Sequence, residues 1–190
     1  MSRASAPRRF VAGILFASSL AGSMTIVRAQ DVTESSLNAA FIYTFAKFTE
    51  WPRDVLPATA TFTACVLGNS SMREGLGRTV KGRQISGRAV SVSEVQIDGK
   101  LRSCHLLYVT GVTAAQLAVI VAEVRGAPVL TISDAADFVH QGGIVRMFVE
   151  NGKIKFDLNL DSAKSSRLDL SSKLLALAAH VHAGPHAQGR

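Results

Sequence analysis

The chain has 190 residues, a formal net charge of +7 and a hydrophobic fraction of 47%. That length suits one domain with a real core, and the composition is too apolar and too weakly charged for intrinsic disorder. No Gly-X-Y period and no sustained heptad is present, so collagen and long coiled coils are excluded. A basic excess points to nucleic acid or an anionic membrane only if it is spread through the folded part.

Much of it is not. Residues 1–29 hold Arg3, Arg8, Arg9 and Arg28 and no acid. Phe10 to Val27 carries no charge, and Val27 and Ala29 place small residues at −3 and −1 of a cleavage point. A basic start, an apolar stretch and that ending describe a secretory signal peptide cut after Ala29. The alternative is an uncleaved anchor, but Ser18, Ser19, Gly22, Ser23 and Thr25 dilute the stretch. The mature chain keeps 17 basic and 14 acidic residues, a net of +3. Nucleic acid is therefore not an expected partner, and the chain is expected to be exported. The expected organisation is a signal peptide at 1–29, one domain at 30–182 and a flexible tail at 183–190.

In chain order, Leu37, Phe41, Phe45 and Phe48 recur at helical spacing and predict a helix from Thr33 to Glu50. Trp51-Pro52 stops it. Residues 61–67 read as a strand, 71–80 as a short helix with Gly75 and Gly77 inside it, and 89–95 as a half-exposed strand. Residues 104–109 and 129–132 are near-continuous apolar runs, hence buried strands. Between them, Leu117, Ile120, Val121 and Val124 share one face of a helix over 113–124. Asn151-Gly152 between two β-rich runs, 144–150 and 153–159, is the strongest hairpin signal in the chain. Leu170, Leu174, Leu177 and Val181 predict a last helix. Strands alternating with helices predict an α/β fold. We expect a three-layer, sandwich-like single domain. Its sheet is mixed but mostly parallel, ends in an antiparallel hairpin and carries helices on both faces.

Cys65 and Cys104 are the only cysteines. An even count in an exported chain favours a disulfide between them. A reactive thiol or metal site is the alternative, and the spacing matches no Cys-x-x-Cys or zinc pattern.

Signatures of chemistry are missing. The sequence holds no Gly-x-Ser-x-Gly, no His-Glu-x-x-His and no phosphate loop. His180, His182 and His186 could gather a transition metal, but they sit at the expected frayed end beside Gly184 and Pro185, where a solvated end is the plainer reading. His105 reads as a strand histidine rather than a base. Asp134 follows a strand end, where α/β proteins place ligands. No nucleophile–base pair can be named, so no catalytic residue, cofactor or metal is expected, and binding is expected instead of catalysis. Phe41, Tyr43, Phe45, Phe48 and Trp51 crowd into eleven residues. Phe41, Phe45 and Phe48 share a core stripe, while Tyr43 and Trp51 lie off it, where aromatics anchor partners or flank grooves.

These residues resemble a known family. The run from Tyr43 to Pro52 resembles the opening helix motif of the YfiR-like periplasmic proteins. Cys65-Val-Leu-Gly68, Cys104-His105, Val129 to Ser133, Gly142-Gly143-Ile144, Lys155 to Asn159 and Leu170 to Leu175 are similar to later family segments, in order. The resemblance covers about residues 35–180. It implies a non-catalytic α/β regulator that represses an inner-membrane diguanylate cyclase through its periplasmic sensor region. It further implies an outer-membrane lipoprotein able to sequester the repressor, and a homodimer. A second family disulfide is absent, since only two cysteines are present. Related domains also accompany sensor kinases, which leaves another membrane sensor as a target. A small-molecule-binding sensory module is the alternative function. The candidate partner- or ligand-binding residues are Tyr43, Phe48, Trp51, Asp134 and Arg146.

Overall fold

A computed structural model describes the backbone of residues 26–183 and the side chains of residues 35–183. Most of the expected signal peptide, the tail from residue 184 and His186 lie outside the described residues. In order, the elements are α1 (Ile26–Lys47), β1 (Thr49–Glu50), β2 (Phe62–Leu67), α2 (Ser70–Val80), β3 (Gln84–Ile85), β4 (Arg88–Glu94) and a 3-10 turn (Leu101–Ser103). Next come β5 (Leu106–Val109), α3 (Ala114–Val124), β6 (Leu130–Ser133), β7 (Val145–Glu150) and β8 (Lys153–Asn159). The chain closes with α4 (Leu160–Ser165), β9 (Asp169–Leu170), α5 (Ser172–Leu177) and β10 (His180–His182).

Eight strands form one sheet in the order β10-β8-β7-β6-β5-β2-β4-β3. Neighbours are parallel except in the hairpins β7–β8 and β3–β4. The α/β class, the mixed, mostly parallel sheet and the helices on both faces are as expected. Side chains of a strand alternate between faces, and the central strands divide accordingly. Phe62, Ala64, Val66, Leu106, Tyr108, Leu130 and Ile132 point to one core, under α1 and α2. Cys65, Leu67, Leu107 and Val109 point to the other, under α3 and the 3-10 turn. Thr113 caps α3 with a capping box to Gln116.

The chain differs from expectation at both ends. The first helix starts earlier, because no Pro or Gly interrupts residues 26–47. It also stops before Glu50. Thr49 Oγ1 donates to Phe45 O at 2.8 Å, and β1 pairs antiparallel with β9, Thr49 opposite Leu170. The expected last helix is confined to Ser172–Leu177. The open edge of β8 captures the residues after α5: Ala179 N donates to Phe156 O at 2.8 Å, and β10 runs parallel to β8 with His180 opposite Asp157. The β7–β8 hairpin is therefore not the end of the sheet.

Two glycines set close approaches. A Cβ on Gly68 (φ +95°) would meet Thr110 O at 1.9 Å, and one on Gly143 would meet the Phe138 ring at 2.3 Å. Gly143 thus lets Phe138 fill the core beneath the entry to β7.

Cys65 on β2 and Cys104 at the start of the β5 segment are joined in a disulfide, with Cα atoms 5.9 Å apart and a sequence separation of 39. Both are buried in the α3-side core. Closing a loop of that length stabilises by about 4 kcal/mol in the chain-entropy account. Replacing both cysteines by alanine should therefore lower the unfolding free energy by about that amount in urea titrations. The native protein should show no alkylatable thiol by intact mass before reduction.

Candidate functional site

The five residues singled out by sequence do not converge on one site. Trp51 is buried. Its indole Nε1 donates to two carbonyls, His105 O at 3.2 Å and Pro128 O at 3.1 Å, and its ring meets Phe62 edge-on at 4.9 Å. It ties the segment after α1 to the starts of β5 and β6. Only its margin reaches a shallow cleft with Glu50, Arg53 and Arg88. Phe48 is half-buried against the α1-side core, and its carbonyl accepts from Ser171 N at 3.0 Å.

His105 belongs to the same cluster. Its Nδ1 accepts from Thr63 N at 3.0 Å, and its ring stacks on Phe62 at 5.3 Å. An accepting Nδ1 describes a neutral ring. Burial lowers its pKa from the ordinary value, against a smaller opposing backbone contribution from Val55. This is a structural histidine, in line with its reading from sequence.

Tyr43 stands elsewhere, at the exposed flank of α1. Its hydroxyl donates to Gln84 O at 3.2 Å, and the Arg83 guanidinium lies over its ring at 5.2 Å. It joins α1 to the β3 hairpin.

Asp134 and Arg146 lie near the carboxyl end of β6. Asp134 Oδ2 accepts from Thr110 Oγ1 at 2.8 Å. Beside it the β7–β8 hairpin overhangs the shorter β5 and β6. The overhang leaves a cleft of about 240 Å³ lined by Asn38, Tyr108, Asp134, Phe148, Val149 and Ile154, among others. Arg146 faces the opposite side of the hairpin from Val145 and Met147. Its guanidinium packs over Phe148 at 4.4 Å and donates to Asp157 Oδ2 at 3.0 Å. The other carboxylate oxygen of Asp157 sits 2.8 Å from His180 Nδ1. Register explains the row, since Arg146, Asp157 and His180 are cross-strand partners on β7, β8 and β10.

Two of the three residues in this row are legible in the sequence. The two-residue Asn151-Gly152 turn sets Glu150 opposite Lys153, and counting outward sets Arg146 opposite Asp157. His180 is out of reach of that count, because the apolar spacing around it predicts a helix. His182 meets His140 ring to ring at 4.8 Å. Among the described residues no group of three potential metal ligands forms. No helix among them is long and apolar enough to cross a membrane.

A family model described as YfiR/HmsC-like matches residues 35–179. A solved structure of a conserved domain protein from Vibrio cholerae O1 biovar El Tor is similar over 77% of this chain, at 12% identity and a TM-score of 0.46. This chain spans 60% of that chain's length.

The geometry makes two outcomes measurable. The unfolded chain protonates His105 near 6.5, the folded chain only at lower pH. The stability held by the neutral ring is thus complete above 6.5 and is lost progressively as pH falls below 6.5 and through the lower pKa of the folded chain. His105→Asn keeps an acceptor for Thr63 N and removes the titration. Melting curves from pH 7.5 to 5 should flatten in this variant. Asp157→Ala strips the partner from Arg146 and His180 together. It should cost about 1–3 kcal/mol and speed hydrogen exchange at Val181 and His182.

Proposed function

The chain belongs to the YfiR/HmsC-like family of periplasmic regulators, and on that premise we propose that it binds and inhibits the periplasmic sensor region of an inner-membrane diguanylate cyclase. The observation that carries this reading is the family match itself. It takes in every strand but β10 and every helix but the start of α1. The family is regulatory rather than catalytic. The buried disulfide supports export to an oxidising compartment. Inhibition is a population shift: the domain binds the inactive arrangement of the sensor region more tightly than the active one, and holds it there. Tyr43 and Arg146, with side chains at opposite ends of the sheet, are the proposed contacts. Phe48, half-buried, and Trp51, buried, support the fold. A homodimer and a sequestering outer-membrane lipoprotein belong to the same proposal.

One observation favours a second reading. The cleft between α1, Asp134 and the hairpin lies at the carboxyl ends of parallel strands, where α/β folds bind small molecules. In that reading the domain is a small-molecule-binding sensory module acting on another membrane sensor, such as a histidine kinase.

Deleting the gene should raise cellular cyclic-di-GMP and biofilm, and a plasmid copy should restore both. Unchanged levels would overturn the cyclase reading. Thermal-shift screening against metabolites separates the second reading. A ligand that raises the melting temperature of the wild-type protein but not of Asp134→Ala would favour it.

A further inference from the structure

At the far edge of the sheet from β10, the strand β4 is only partly covered. Its inner side pairs with β2 from Val90 to Glu94. On its outer side β3 reaches only Arg88 and Ala89. Beyond Ala89 no strand lies on that side among the described residues. Val95 N donates inward to Val66 O. The backbone groups of a strand alternate in direction with a period of two. The amides and carbonyls of Val90, Val92 and Glu94 therefore point outward. Four residue steps, about 13 Å, of sheet edge stand open.

The space along this edge is a groove of about 860 Å³ between β4 and α2. Val80, Val90 and Val92 give it an apolar floor, and Gly77 of α2 opens its wall, since a Cβ there would meet nothing within 4 Å. Its rim carries Arg73, Arg78, Lys81 and Arg83 against one carboxylate, Glu74. Glu74 is shared by Arg73 at 3.7 Å and Arg78 at 3.9 Å. Glu94, at the end of β4, lies 3.5 Å from Arg73. The rim therefore holds more cationic groups than its carboxylates can neutralise.

We propose that the β4 edge is a docking site for an acidic, extended segment of a partner protein, which adds a strand to the sheet. Main-chain hydrogen bonds to Val90, Val92 and Glu94 supply the affinity. Alternate side chains of the added strand fall on the α2 side, beside Arg78 and Lys81, and carboxylates at every second position match them. The remaining side chains fall on the Ser91 and Ser93 side. Charge selects the occupant. The two ends of this chain outside the described residues are basic, with Arg3, Arg8 and Arg9 at one end and Arg190 at the other. A second copy would bring the same cationic rim against itself. This surface goes beyond the proposed function, and it stands whichever membrane protein is regulated.

The test uses the oxidised protein and a synthetic peptide, acetyl-Glu-Val-Glu-Thr-Glu-Val-Glu-amide. Fluorescence anisotropy gives the affinity, and nitrogen-edited NMR locates the contact. The expected result is binding with amide shifts at Val90, Val92 and Glu94. Affinity should weaken at least about tenfold when lysine replaces each glutamate in the peptide, or when Arg78→Glu and Lys81→Glu are combined in the protein. Both substitutions are at exposed positions, and an unchanged melting temperature shows that the fold is kept. Two N-methylated peptides test the strand geometry. Methylation of the amides at one set of alternate residues should abolish binding, and methylation of the other set should spare it. No binding of the acidic peptide overturns the proposal, as does equal binding of the lysine peptide. So does indifference to both methylation patterns. Self-association that the charge reversal strengthens, seen by analytical ultracentrifugation, would make the edge a site for a second copy and would equally overturn it.

Discussion

A mostly parallel sheet has to be covered on both faces, and this constraint organises the molecule. Strands β2, β5 and β6 send alternate residues into two separate cores, and neither half can be left to water. The first face is closed by α1 and α2, the second by α3 and the 3-10 turn. Trp51 and the Cys65–Cys104 disulfide then hold the layers where the strands begin. One hydrogen-bonds across to two loops, and the other ties β2 to the entry of β5. With the centre filled in this way, polar and open surface remains at the two sheet edges and at the strand ends.

The two edges are finished differently. At one, the residues after α5 fold back as β10 and are fastened by the row Arg146, Asp157 and His180. Asp157 is almost fully buried, so its two partners matter more there than surface ion pairs do. At the other edge, β3 is two residues long and leaves most of β4 unpaired. Natural sheets usually blunt such an edge with charge. Here the charge is mostly of one sign and lines a groove with an apolar floor, which suits binding as well as protection. A protein that acts by binding needs such surfaces and needs no nucleophile. That agrees with a family of regulators.

Much of this is legible in the sequence. Apolar runs place the buried strands, four apolar positions place α3, and Asn151-Gly152 places the hairpin and its register. The failures share a cause. β1, β9 and β10 are two or three residues long and exist only through partners far away in sequence, so no local period announces them. Trp51 reads as a partner anchor because it lies past the helix end. Its two carbonyl acceptors come from loops some 50 and 80 residues away, and only folding brings them to it. The basic rim is hidden for a related reason. Arg73, Arg78, Lys81 and Arg83 sit on or just after a helix that looks weak because of Gly75 and Gly77. Yet Gly75 lets α2 approach Ser35 of α1, and Gly77 leaves the groove open.

The central claim is that the protein restrains a membrane cyclase by direct contact. It is tested most directly by adding the purified, oxidised protein to the periplasmic side of the cyclase reconstituted in proteoliposomes, with GTP supplied to the catalytic side. The account predicts that cyclic-di-GMP synthesis falls as the protein is titrated and levels off at saturation. A rate unchanged at every concentration, with the cyclase otherwise active, would contradict it.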